Sequence, residues 1–195
     1  MQSSGRPHRE TGGAFPFYPV KHSGVCLVAG NAWTLPDDLG QAHKLYGDVP
    51  VIAVNGAAAE VKAFALFSFH PDHYLAYGYE WIRKQRKIHT DFTVHGGSTP
   101  LDMPHVQHWW PHARGGGGSA WGARKMAWYM GFDTVVLVGC PLLPGNYAGH
   151  KPGMLMAKDA YTGGYASWIE GDKAWHEGAC SLSGRTMEIL GAPYL

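Results

Sequence analysis

Excess charge, cysteine and long apolar runs are all scarce in this 195-residue chain, and each scarcity excludes something. Lys and Arg number 16 against 15 Asp and Glu, and the only dense basic run is Lys84-Gln-Arg-Lys87, which reads as the solvated end of a helix. No basic face is available for a phosphate backbone, so a dedicated nucleic-acid surface is not expected. The three cysteines, Cys26, Cys140 and Cys180, are odd in number and widely spaced, which argues against a disulfide framework and for a reducing compartment. Residues 1–10 lack an apolar signal core, and no apolar run reaches the roughly 18 residues of a membrane span. The expectation is a soluble, cytoplasmic protein without a membrane span. Neither His-Glu-x-x-His nor Cys-x-x-Cys occurs, so His70-Pro-Asp-His73 and the scattered His105, His108 and His112 are not expected to bind metal. No internal repeat is evident, and the length suits one domain able to bury its own core.

Glycine, by contrast, is plentiful, at 27 residues. The stretch Gly115-Gly-Gly-Gly-Ser119 leads into Ala120, Ala123, Ala127 and Met130 at helical spacing, and Gly131 precedes the β-branched run Thr134 to Val138. Ser119 is the expected N-cap and Gly131 the expected stop. The start of such a helix carries unpaired N–H groups and about half a positive charge, so the loop could cradle an anion without a basic side chain. A plain glycine-rich connector would have the same composition.

A second unit lies near the start. Val25-Cys-Leu-Val-Ala-Gly30 reads as a strand, Asn31-Ala-Trp-Thr-Leu-Pro36 as a turn, the residues through about Tyr46 as a helix, and Val51-Ile-Ala-Val54 as a strand ending at Asn55-Gly56. Two buried strands flanking a helix make a βαβ crossover, and parallel strands place their C-terminal turns on one edge, where open α/β sheets bind ligands. Gly30, Asn31, Asn55 and the Gly115–Ser119 loop would meet there. Asn31 and Asn55 suit either ligand contact or the bracing of turns.

Further elements follow. Residues 57–63 form a short helix candidate, Ala65 to Phe69 a strand, and about 71–85 a helix with Pro71 in its first turn. Asp91 to His95 and Val106 to Trp109 are short strands, and 171–191 reads as a last helix with Ala179, Leu182, Thr186 and Leu190 on one face. Residues 1–21 form a tail, and 141–164, rich in Gly, Pro, Tyr and Met, has the length of a lid. The aromatic residues could stack on bases or sugars, or serve the core and a homo-oligomeric or protein interface.

In its order of motifs the chain resembles the superfamily of bacterial lipooligosaccharide sialyltransferases, with its hydroxymethylpterin pyrophosphokinase-like and phage Rossmann-like relatives. The resemblance lies in Gly30-Asn-Ala-Trp-Thr-Leu35, in Val51-Ile-Ala-Val-Asn55, in Gly117-Gly-Ser-Ala120 and in Leu137-Val-Gly-Cys140, and spans about residues 24–195. It implies that Gly30, Asn31 and Asn55 contact a nucleotide, that Gly117, Gly118 and Ser119 contact phosphate or sugar, and that His176 in Trp175-His-Glu177 is the general base. His70, at the end of a strand, is a second candidate beside the ligand. An imidazole changes protonation near neutrality and suits the removal of a proton from an acceptor hydroxyl. Three positions depart from the family pattern: Ala32 stands for a glycine, Thr34 for a serine, and Pro141 for an acid.

The combined expectation is one Rossmann-like α/β domain over 22–195, with a mostly parallel sheet and helices on both faces. It would be a metal-independent, glycosyltransferase-like enzyme using a nucleotide or nucleotide-sugar donor, with no resident cofactor. The alternatives are a non-catalytic nucleotide- or small-molecule-binding protein and a pyrophosphokinase-like enzyme. The latter would need Mg²⁺, for which the strand edge offers few carboxylates: Asp72, Asp102 and Asp159.

Overall fold

A computed structural model describes residues 22–71, 83, 85, 87, 92–97, 105–110, 118–146, 148, 156–157 and 159–193. The chain opens with strand β1 (Val25–Ala29), helix α1 (Leu35–Tyr46) and strand β2 (Val51–Val54). Local chemistry sets the bounds of α1. A proline stands at its start, Asp37 and Asp38 lie in its first turn and His43 and Lys44 in its last, matching the helix dipole. Gly47, at φ 72°, then turns the chain out of the helix.

Strands β3 (Ala65–Ser68), β4 (Thr93–Gly96) and β5 (His108–Trp109) follow, then helix α2 (Gly118–Met130) and strand β6 (Thr134–Val138). Seven strands form one sheet in the order β5-β4-β3-β2-β1-β6-β9, where β9 is Ala179–Ser181, and all six pairings are parallel. The chain winds outward from β1 to β5 and returns to the other side of β1 with β6. Strand order therefore reverses between β1 and β6.

Alternate side chains of the central strands divide into two cores, as a sheet covered on both faces requires. Cys26, Val28, Ile52, Val54, Phe67, Val135 and Leu137 pack with α2 residues such as Trp121, Met126 and Met130. Leu27, Ala29, Val51, Ala53, Leu66, Val136 and Val138 pack with Leu35 and Ala42 of α1 on the opposite face. The single Rossmann-like α/β fold with helices on both faces is the one the residue pattern implies.

Several local expectations are corrected. Residues 171–191 are not one helix: α3 (Asp159–Gly171) ends there, a 3-10 turn covers Lys173–Trp175, β9 follows, and α4 spans Gly184–Leu190. Gly178 at φ 67° and Gly184 at φ 61° break the backbone at both ends of β9, and the β6 edge takes up Ala179 to Ser181. Ser119 lies inside the first turn of α2, since the helix begins at Gly118. In place of a helix over 57–63 there is a 3-10 turn at Asn55–Ala59. Within 141–164, β7 (Gly145–Asn146) pairs antiparallel with β8 (Met156–Ala157), and α3 already begins at Asp159. Pro71, Arg83, Gln85 and Lys87 are helical, while the rest of the 71–85 helix and the tail over 1–21 lie outside the described residues. Among the described residues no helix is long and apolar enough to cross a membrane.

Candidate functional site

The reversal between β1 and β6 is where open α/β sheets present a crevice, and here the two strand exits are packed tightly. Gly30 donates its N–H to Val138 O (2.8 Å) and Ala32 donates to Gly139 O (3.0 Å). A Cβ on Gly30 would fall 2.4 Å from Cys140 Sγ, and one on Gly139 would fall 2.5 Å from Gly30 O. Both positions therefore need glycine for backbone contact, and Gly139 needs it also for its φ of 62°.

A buried carboxylate fixes this junction. Asp38 is 3 % exposed, and its Oδ2 accepts from Gly139 N (2.8 Å), Ser183 Oγ (2.7 Å) and Thr34 Oγ1 (3.1 Å). One side chain thus joins the β1 turn, the exit of β6 and the start of α4. Position 141, where the resembled family has an acid, serves the same junction: Pro141 O accepts from Arg185 N (2.8 Å), and Gly184 lies against its ring. Thr186 Oγ1 donates to Cys140 O.

Beside this closed junction the two asparagines behave differently. Asn31 follows β1 and Asn55 follows β2, on neighbouring exits, and Asn55 adopts φ 52°, a left-handed conformation that asparagine tolerates. The Oδ1 atoms of both are buried and have no hydrogen-bond partner among the described residues. An unmet buried acceptor costs about 1–3 kcal/mol.

The exit of β3 meets the start of α2. Phe69 N donates to Ser119 Oγ at 3.5 Å, and His70, exposed, donates its backbone N–H to Ser68 Oγ at 2.9 Å. Gly118, at φ 77°, lies under the ring of Tyr165 from α3. Gly30, Asn31, Asn55, His70, Gly118 and Ser119 consequently share the C-terminal edge of the sheet. Gly117 lies outside the described residues.

His176 is not brought to that edge. It lies three residues before β9, at the end where the strands begin, and its Nε2 is 2.7 Å from Ile169 O. A carbonyl only accepts, so Nε2 carries the proton and donates it. Its ring packs edge-on to Trp121 at 6.1 Å. Asp172 beside it accepts from Trp121 Nε1 (2.8 Å) and pairs with Lys125 (2.6 Å), while Arg124 donates to Glu177 O.

The thiols are inert as nucleophiles: burial pushes Cys140 up to about 12 and Cys180 up to about 11. No group of three or more His, Cys, Asp or Glu able to hold a metal occurs among the described residues. Asp38 and Ser183 were not marked by the motifs, and Trp33 lies within the first of them without a role assigned to it. The only local signal was Thr34 and Asp38 at i, i+4 spacing. No protein-family model matches the chain, and no curated protein matches it.

Proposed function

We propose that this chain binds a nucleotide or nucleotide-activated sugar at the exits of β1, β2 and β3. The observation that carries the reading is the pair of buried, unpartnered Oδ1 atoms of Asn31 and Asn55 on neighbouring exits. An N–H or O–H donor, such as bases and ribose offer, would satisfy them. The first turn of α2, at Gly118 and Ser119, opens on the same edge through the contact of Ser119 with Phe69, and supplies N–H groups for a phosphate.

The activity proposed for this site is a metal-independent, sialyltransferase-like transfer. The acceptor oxygen bonds to the anomeric carbon, the bond from that carbon to the nucleotide phosphate breaks, and its electron pair leaves with the phosphate, where helix N–H groups stabilise the charge. The acceptor's proton goes to His70, which stands at the ligand edge where His176 does not. A second reading, a nucleotide-binding protein without turnover, is favoured by the commitment of His176 to Ile169 O and of position 141 to packing against α4.

A thermal-shift screen against cytidine, uridine, guanosine and adenosine nucleotides, with and without Mg²⁺, tests binding, because a ligand of the native state raises its melting temperature by mass action. A base-selective rise that is independent of Mg²⁺ and lost in Ser119→Trp is expected. No rise with any nucleotide refutes the site, and a rise only with Mg²⁺ turns the reading towards pyrophosphoryl transfer. Turnover of the selected donor that is lost in His70→Ala while binding persists separates the enzyme from the binder.

A further inference from the structure

Trp33 stands in the turn after β1, two residues from Asn31, and is 48 % exposed. Its backbone is held on every side. Trp33 N donates to Asn146 O (3.0 Å), Ala32 N to Gly139 O (3.0 Å), Ala148 N to Asn31 O (2.9 Å), and Thr34 Oγ1 to the buried Asp38 carboxylate (3.1 Å). The indole itself rests by its pyrrole edge on Gly145 of β7, where a Cβ would fall 2.1 Å from Nε1 and 2.2 Å from Cδ1. A large aromatic side chain left half in water, on a backbone fixed this thoroughly and on a bed that only glycine permits, is a presented surface rather than a loose one.

We propose that Trp33 is the stacking platform for the ligand's base, and so decides that the site takes a planar heteroaromatic ring and not a sugar phosphate alone. The proposal rests on the strand-exit site of the preceding subsection and adds its specificity. Every nucleobase offers a π-face, and stacking on an aromatic side chain is worth on the order of ten- to a hundredfold in affinity. Trp33 lies two residues after Asn31 in the same turn, so a base stacked on the indole would sit over the exit of β1.

Titration calorimetry with the four nucleoside monophosphates, and with ribose phosphate as a probe that lacks the ring, tests this on the full chain. Trp33→Ala is expected to weaken the preferred nucleotide on the order of ten- to a hundredfold, to leave ribose phosphate binding unchanged, and to keep the melting temperature of the free protein close to that of the wild type. Trp33→Phe should restore most of the affinity. Gly145→Ala, which displaces the indole without removing it, should weaken the nucleotide in the same selective way. Nucleotide affinity unchanged in Trp33→Ala overturns the stacking role while leaving the site standing. Equal weakening of nucleotide and ribose phosphate makes Trp33 a structural residue of the turn and overturns it too. A wild-type protein that binds none of the nucleotides overturns the site and the platform together.

Discussion

The turn that enters β9 sets Asp172 and His176 against partners within the fold, whereas the turns that leave β1 and β2 hold two asparagine Oδ1 atoms that meet none among the described residues. Around β9, Asp172 receives Trp121 Nε1 and Lys125, His176 donates to Ile169 O, and Arg124 donates to Glu177 O while lying over the rings of Trp121 and Trp175 at 5.6 and 5.4 Å. At the exits, the Oδ1 atoms of Asn31 and Asn55 meet no partner among the described residues. Polar groups that complete one another hold a fold together. Polar groups left incomplete in an otherwise well-packed region need a partner from outside the chain, and the proposed ligand is one. That contrast is why the proposed site is built on Asn31 and Asn55 and not on His176, which the motif resemblance makes a catalytic base and which donates instead to Ile169 O.

The contrast can be broken most forcefully on its satisfied side. Asp172→Ala leaves Lys125, 5 % exposed, without its carboxylate and Trp121 Nε1 without its acceptor. Removing one partner of a buried pair costs about 3–5 kcal/mol, and the partial exposure of Asp172 reduces this to about 2–3. Denaturant unfolding should show that loss, with affinity for the nucleotide retained.

Acid probes a second internally satisfied network, at the β4 and β5 edge. Trp110 Nε1 can only donate, so its 2.9 Å bond makes His95 Nδ1 an acceptor and leaves the proton on Nε2, which faces Thr93 Oγ1 at 2.7 Å. Burial first, and the neighbouring His108 second, hold the folded-state pKa of His95 well below the ordinary 6.5, and burial also lowers His108. A depressed histidine pKa means that the unfolded chain takes up the proton first. The stability contributed by the neutral ring is therefore complete above about pH 6.5 and is lost as pH falls from there towards the folded-state value, by up to about 1.4 kcal/mol per pH unit per histidine. Unfolding free energies measured between pH 8 and pH 5 should fall with that sign. A flat profile would contradict the buried neutral pair.

His176→Ala gives the smallest effect, about 1 kcal/mol for one hydrogen bond to a carbonyl, and should leave both nucleotide affinity and any turnover unchanged. Loss of turnover with binding intact would return His176 to the role of base.

Much of this was legible in the residues themselves. The β-branched runs of β1, β2 and β6, the Gly and Pro punctuation of α1 and the helical spacing of α2 each state their own structure locally, and the parallel sheet follows from them. What escaped depends on contacts distant along the chain. Gly139 and Ser183 reach Asp38 across 101 and 145 residues, and nothing near Asp38 announces them. The false helix over 171–191 came from apolar residues that fall at helical spacing while belonging to a three-residue strand and to a separate seven-residue helix. Trp33 sits inside the motif that carries the resemblance, but the bed on which its indole rests is Gly145, a residue of another element.

Whether Asn31 and Asn55 serve a ligand is decided by the unfolding free energy and nucleotide affinity of Asn31→Ala combined with Asn55→Gly, glycine being chosen because φ at position 55 is 52°. Deleting an unmet buried acceptor removes a penalty, so the free protein should be as stable as the wild type or up to about 1 kcal/mol more so, and nucleotide binding should be lost. A variant destabilised by about 2 kcal/mol or more, binding its ligand as the wild type does, would show that the asparagines brace the turns and that the strand exits are not the site.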